Sequence, residues 1–458
     1  MKSALELYDT KARSLMAVEA DESKLVRIYC CGPTVYRDAH VGNLRTFLLL
    51  DFVVRALQFQ GLTTTVVQNI TDVGHMSEDF ESEDKMLAEA HRVQRSALDI
   101  AREFEAKFHN DLQKLNALPA DVYPRASESI EMMQALISQL IANGSAYVGS
   151  DNCVYFSAES FDSYGAISGN RLTDLKPGHR YEYTEDGAKK FHADWALWKA
   201  AGNRKEMVWD SPWGKGFPGW HIECSAMSMH YLDSHVDLHL GGIDLRFPHH
   251  EDERAQSNAA HNNEEVVTSW VHGEHLLFEG RKMSKSAGNV VLLSDVIAKG
   301  LDPLALRLCF LENRYRSQMD LSWDSLKAAD ATLKRWREKV REWAKDGQPD
   351  SSQIDVHCVA ILADINADLD TPRAIQKIRA LEKNSEINGA TKAAIFAAVD
   401  PLFGLELLRE EATALPEGAQ ELLDARAKAR ANKDYEESDR LRDLLTAMGV
   451  TVKDGANG

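Results

Sequence analysis

The sequence predicts an α/β protein, a split Rossmann-like catalytic domain with a parallel sheet followed by an all-α helical bundle and a small C-terminal domain. Three observations lead there. Leu25–Val67 reads as β-α-β, Val236–Leu240 alternates into a Gly-Gly turn far downstream, and everything after Trp323 is helical in period. In the first unit Val26, Ile28 and Cys30 share one strand face, an apolar helix runs from Leu44 to Phe59 and stops near Gly61, and the β-branched Thr63–Val67 returns as a strand. A helix is expected over Met86–Leu118, with Pro124 marking a boundary. Residues from about 130 to 205 mix a helix with short strands and Gly/Asp-rich turns, so they read as an insertion between two halves of one sheet. The second half resumes near Trp209, with a helix from about His250 to Ala260 and a strand over Val266–Val271. From Trp323 the residues Leu326, Ala329, Leu333, Trp336, Val340 and Trp343 step by three and four, with Lys334, Arg335, Arg337, Lys339 and Arg341 mostly on other faces. Asp346–Gln353 is a polar linker, two more helical segments run to about Leu408, Glu410–Gly418 is a break, and a charged helix pair spans Ala419–Met448. The expected domains are therefore 1–130, the first catalytic half; 131–205, the insertion; 206–262, the second half; 263–322, a loop-bearing connector; 323–409, the bundle; and 410–458, the C-terminal domain.

Bulk properties narrow the function. A chain of 458 residues with 44% apolar residues can fill several cores. No apolar run reaches the ~18 residues of a membrane span, and no basic-then-apolar leader precedes the first strand, so a cytoplasmic protein without a membrane partner is expected. Six cysteines, at 30, 31, 153, 224, 309 and 358, are too dispersed for a disulfide framework and read as thiols or metal ligands. A net charge of −18 argues against nonspecific nucleic-acid binding and leaves room for a specific RNA only where basic residues gather locally.

Two short motifs carry the chemistry. His40-Val41-Gly42-Asn43 lies where the first strand passes into the apolar helix, and a helix start offers free N–H groups and the positive dipole end to a triphosphate. Lys282-Met283-Ser284-Lys285-Ser286 places two lysines on a polar loop able to follow charge onto a leaving pyrophosphate. Their order and context resemble the two ATP motifs of class I aminoacyl-tRNA synthetases. Cys31, Cys224, His249 and Glu253 are a chemically sound zinc set, with His249 and Glu253 on one helix face, although the spacing alone favours two buried cysteines and a helix-start histidine.

Longer stretches sharpen the resemblance. Cys-Gly-Pro-Thr-Val-Tyr from Cys31, Gly-Trp-His-Ile-Glu-Cys-Ser-Ala-Met from Gly219, and Phe-Pro-His-His-Glu from Phe247 are similar to the cysteinyl-tRNA synthetase family. That resemblance implies one zinc ion at the floor of the amino-acid pocket, held by Cys31, Cys224, His249 and Glu253, with ATP and Mg²⁺ as substrate. It implies Thr71 and Trp220 as pocket walls and His221 and His239 as groups that hold the amino acid. Gly42, Gly241, Gly242 and Asp244 would meet the nucleotide or adenylate; His40, Asn43, Lys282 and Lys285 would act on the phosphates, Lys285 foremost. The implied partners are tRNA(Cys) and L-cysteine, and a monomer is expected.

The chemistry gives zinc a purpose. A hydrophobic pocket separates near-isosteres such as cysteine and serine only ~10²-fold. A thiol of pKa ~8.5 becomes a thiolate on a metal, whereas an alcohol does not, and no insertion is large enough for an editing domain. Three features depart from the family pattern: Asn43 stands where many class I enzymes have histidine, an acidic segment spans 74–84, and the chain stops at Gly458 without the tryptophan-containing end of many members. Two rivals share parts of the pattern, a cysteine ligase of small-molecule thiol biosynthesis (mycothiol type) and a catalytically silent RNA-binding relative. The charged helices of 419–452 count against the first, and the intact lysine loop and metal positions against the second.

Overall fold

A computed structural model describes residues 4–73, 95–175, 188–283, 288–410, 416, 418–431, 434–448 and 450. The chain opens on a hairpin that the periodicity does not reveal, β1 (Glu6–Asp9) and β2 (Ser14–Ala17). β3 (Leu25–Cys30) follows, with Val26 and Ile28 fully buried beneath its alternating pattern. α1 (Val41–Phe59) starts three residues before the expected Leu44, because the His40 side chain caps it: Nδ1 accepts the Asn43 N–H, and Asn43 Oδ1 accepts the His40 N–H. The helix is buried nearly all round, and Gly61 (φ +85°) turns the chain into β4 (Thr63–Gln68).

α2 (Ala97–Lys114) starts at a Ser96 cap within the expected Met86–Leu118, of which 86–94 lie outside the described residues. The inserted segment holds α3 (Ile130–Ala142) and β5 (Ala146–Val148), β6 (Val154–Phe156), β7 (Trp195–Ala200) and β8 (Gly216–Pro218), an antiparallel sheet in that order. Because β8 pairs with β7, this sheet runs past the expected end of the insertion at 205.

The chain then re-enters the parallel layer through α4 (Trp220–Tyr231), β9 (Val236–Gly242), α5 (His249–Ala260) and β10 (Val267–Gly273). The parallel sheet has the order β10-β9-β3-β4. The connection through α1 leaves β3 toward one edge, and the chain returns on the other side with β9. The carboxyl ends of β3 and β9 thus flank a topological switch point, where an open α/β sheet binds ligands.

A three-stranded sheet of β11 (Leu276–Phe278), β12 (Arg281–Lys282) and β13 (Met319–Leu321) surrounds α6 (Leu293–Ala298) and α7 (Pro303–Leu311) in sequence. The bundle comprises α8 (Trp323–Trp343), α9 (Ser351–Asn366), α10 (Thr371–Lys383) and α11 (Gly389–Phe403), so three helices rather than two follow the first. Asp350 caps α9 and shortens the expected linker. Arg337 does not share the exposed face of its basic neighbours: it is fully buried, bonds Asp302 at 2.6 Å, and donates to the carbonyls of Leu405 and Glu406. Arg335 and Lys339 pair with Glu382, and Lys334 with Asp330. Residues 1–408 form one compact unit and 409–458 a second. In the second unit α12 (Ala419–Ala431) and α13 (Tyr435–Ala447) pack as the expected helix pair, with Leu441 and Leu445 buried.

Candidate active site and metal centre

The switch point is built by close backbone approach. A Cβ on Gly32 would lie 1.6 Å from the Asn69 carbonyl oxygen, so only glycine lets the chain leaving β3 pass the end of β4. Cys31 N–H donates to Leu240 O, which ties the Cys31 sulfur to the end of β9. α4 brings Cys224 beside it, with the sulfurs 3.9 Å apart, and α5 brings His249 and Glu253 from one face. The ligand atoms of Cys31, Cys224, His249 and Glu253 all lie within 4.8 Å of one another, and all four residues are buried. Cys31, His239, His250 and Glu253 form a second, overlapping set within the same limit.

The electrostatics show what this cluster lacks. Burial, reinforced by Cys224 and Glu253, raises the Cys31 thiol well above its usual range. Burial pulls His249 down, but Glu253 and Cys224 outweigh it and hold the imidazole well above its ordinary value. Burial raises Glu253, yet His239 and His249 beside it hold its carboxyl below the ordinary value, while its Oε2 has no hydrogen-bond partner. Two sulfurs, an imidazole and a carboxylate converging in a buried space, with one carboxylate oxygen unsatisfied, fit a tetrahedral zinc donor set.

A cleft of about 200 Å³ connects this cluster to the nucleotide motifs. Cys31 and Trp220 line one part, and Asn43, Gly242 and Asp244 another. The Trp220 ring lies 4.2 Å from the His249 ring, a wall backed by a member of the donor cluster. Burial, then Arg37, lowers His40. Its ring uses Nδ1 as an acceptor of the Asn43 N–H, which leaves Nε2–H as its donor. A Cβ on Gly42 would sit 3.0 Å from the His40 ring and from Met283 Cε, so the two motifs touch at that glycine. Val41 N–H also donates to Val291 O, beyond the lysine loop. Lys282 is exposed on β12, while Lys285 lies outside the described residues, as does the acidic 74–84 segment. On Gly242 a Cβ would meet Asp244 Oδ1 at 2.3 Å, which places that carboxylate over the end of β9 rather than over the expected turn.

The other expected pocket residues are not among those that line the cleft. Thr71 is buried and donates its hydroxyl to Glu223. His221 and His239 do not line the cleft: His239 stacks on Trp270 with its Nε2 3.5 Å from Cys31 Sγ, and His221 faces His249. Burial pulls His239 down to about 4 and His272 to about 3, so both rings are neutral. A hydrogen-bonded row from Thr10 through His272 and His250 ends on Cys31 Sγ. Sequence reasoning missed Thr10, His250, His272, Asp252 and Tyr164. His250 and Asp252 flank named ligands on α5, and that adjacency is the one signal available.

The class I (C) tRNA-synthetase catalytic domain family matches residues 17–331, and the cysteinyl-tRNA ligase anticodon-binding domain family matches 412–458. A cysteine–tRNA ligase of Thermus thermophilus is 40% identical, covering 99% of this chain and 98% of the relative. This chain belongs to the cysteine–tRNA ligase family. The Treponema denticola cysteine–tRNA ligase is 37% identical over 94% of this chain and 93% of its own length. A cysteine–tRNA ligase of Burkholderia lata is 40% identical over 99% and 96%. In structure the chain is similar to Mycobacterium tuberculosis methionyl-tRNA synthetase in complex with methionyl-adenylate (TM-score 0.61, 13% identity, 83% and 92% covered), which establishes the class I fold alone. For this cysteine–tRNA ligase family member, the Cys31 cleft and the contact between its two nucleotide motifs lie within the matched catalytic region.

Proposed function

We propose that the protein joins L-cysteine to tRNA(Cys) in two steps in one cleft, with zinc selecting the amino acid and ATP–Mg²⁺ activating it. The observation that carries this is the double position of Cys31, which belongs both to the buried donor cluster and to the cleft shared with Asn43, Gly242 and Asp244. The substrate carboxylate is already ionised and needs no general base. It attacks the α-phosphorus of ATP, forming the mixed anhydride and breaking the α–β bond, and pyrophosphate leaves. His40 and Asn43 at the start of α1 position the phosphates, while Lys282 and Lys285 neutralise charge on the departing pyrophosphate. Asp244 and the close-approach glycines hold the adenylate. A hydroxyl of the terminal adenosine then attacks the cysteinyl carbonyl and AMP leaves.

Zinc held by Cys31, Cys224, His249 and Glu253 would bind a thiolate and refuse an alcohol. Trp220 closes the wall beside it. The reading places the protein in the cytoplasm, where tRNA is charged for translation.

Charging of total bacterial tRNA with labelled cysteine, with pyrophosphate exchange in parallel, tests the reading. Cysteine-dependent charging of one tRNA is expected. Exchange without charging would mean that the adenylate serves a small amine instead. Lys285→Ala should cut exchange by roughly 10²–10³-fold. Metal analysis should find about one zinc per chain, lost on Cys224→Ser.

A further inference from the structure

Behind the ligand His249 runs a row of polar groups that the reaction does not use. His249 Nδ1 lies 2.8 Å from His221 Nδ1, His221 Nε2 lies 3.3 Å from Asp252 Oδ2, and the Tyr164 hydroxyl donates to Asp252 Oδ1 at 2.5 Å. All four side chains are buried. Their protons have one consistent arrangement if His249 gives Nε2 to a metal. Nδ1–H of His249 then donates to His221, Nε2–H of His221 donates to Asp252, and the carboxylate accepts from the phenol as well.

Tyr164 comes from the inserted segment, and the turn that carries it is fastened to the same helix as the ligands. Glu251 accepts the N–H groups of Ile167 and Ser168 at 3.1 and 2.8 Å, and Arg254 donates to the Ser163 carbonyl and hydroxyl. α5 thus presents His249 and Glu253 to the donor cluster and Glu251, Asp252 and Arg254 to the insertion.

We infer that Tyr164 and Asp252 are positioning residues that, through His221, fix the ring plane and tautomer of His249 and so set how firmly the protein holds its metal. The inference rests on the proposed four-residue metal site. The insertion thereby takes part in amino-acid selection.

The test is the rate of zinc release from the purified, zinc-loaded protein to excess chelator, below the unfolding temperature. Tyr164→Phe keeps the ring and removes one donor, and Asp252→Asn weakens the acceptor. Each should speed zinc release by roughly 10–100-fold and raise KM for cysteine, but not for ATP, in pyrophosphate exchange. Tyr147→Phe removes a comparable hydroxyl bond of the inserted segment, from Tyr147 to Asp194 at 2.5 Å, away from the row; it should lower the melting temperature and leave zinc release as in wild type. Wild-type retention in Tyr164→Phe, or equal loss in Tyr147→Phe, would overturn the inference while the metal site stands. A wild-type protein that binds no zinc would overturn both.

Discussion

At the residue scale, the site is shaped by what cannot fit. A Cβ on Gly241 would lie 2.6 Å from the His250 ring, and that ring is pinned between Cys31 Sγ at 3.3 Å and His272 at 2.8 Å. The ring cannot swing away as a flexible chain end could. Gly241→Ala should therefore cost about 1–3 kcal/mol of stability and loosen zinc, read as a lower melting temperature and a lower metal content. A wild-type melting temperature would mean that His250 is freer than its contacts indicate. This residue illustrates the limits of the sequence. Gly241-Gly242 was legible as a place of close approach, but as a turn rather than the last two residues of β9, and not what approaches it. The four proposed ligands sit at 31, 224, 249 and 253, and only 249 and 253 are spaced by a local rule, so resemblance to long motifs assembled the set. Of the groups behind them, Asp252 had only its place beside Glu253 to mark it and Tyr164 had nothing, since Tyr164 meets Asp252 through a long-range contact between an insertion and a helix.

Elements with a clear period were legible, and α1 and α5 were legible too although buried nearly all round; α4 was not. β3, β9 and α8 declare themselves by alternation or by three-four stepping. α4 carries Cys224 yet passed unrecognised as a helix, because Ile222, Glu223, Cys224, Ser225, Ala226 and Met227 are all buried and leave no polar face to mark a period. Arg337 failed for the related reason that an arginine reads as surface until a buried carboxylate and carbonyls receive it. Its neighbour network makes a pH-dependent prediction. Burial raises Glu382, but Arg335, Trp336 and Lys339 outweigh it and hold the carboxyl at about 2, against an ordinary 4.5. A depressed carboxyl stabilises the fold above its unfolded pKa and stops doing so as the pH falls through its folded one. Glu382→Ala should thus cost about 2 kcal/mol at neutral pH. The gap to wild type should shrink between pH 4.5 and 2. A gap constant with pH in denaturant titrations would show that packing, and not charge, is what Glu382 supplies.

At the scale of the whole molecule, two halves of one parallel sheet meet across an insertion, and the junction of β3 with β9 collects the cleft. The second compact unit, 409–458, falls almost wholly within the matched anticodon-binding family, 412–458. Ending the chain after Leu408 should leave cysteine-dependent pyrophosphate exchange near wild type while charging falls at least about tenfold, the loss of ~1.4 kcal/mol of tRNA contact. Equal loss of both activities would assign that unit a structural role instead. The central claim, that a buried sulfur-imidazole-carboxylate site chooses the amino acid, is tested most directly by the ratio of kcat/KM for cysteine over serine in pyrophosphate exchange. A ratio of at least about 10⁴ is predicted, beyond what shape alone achieves. A ratio near 10² in the zinc-loaded protein would contradict the account, because an apolar pocket would then suffice.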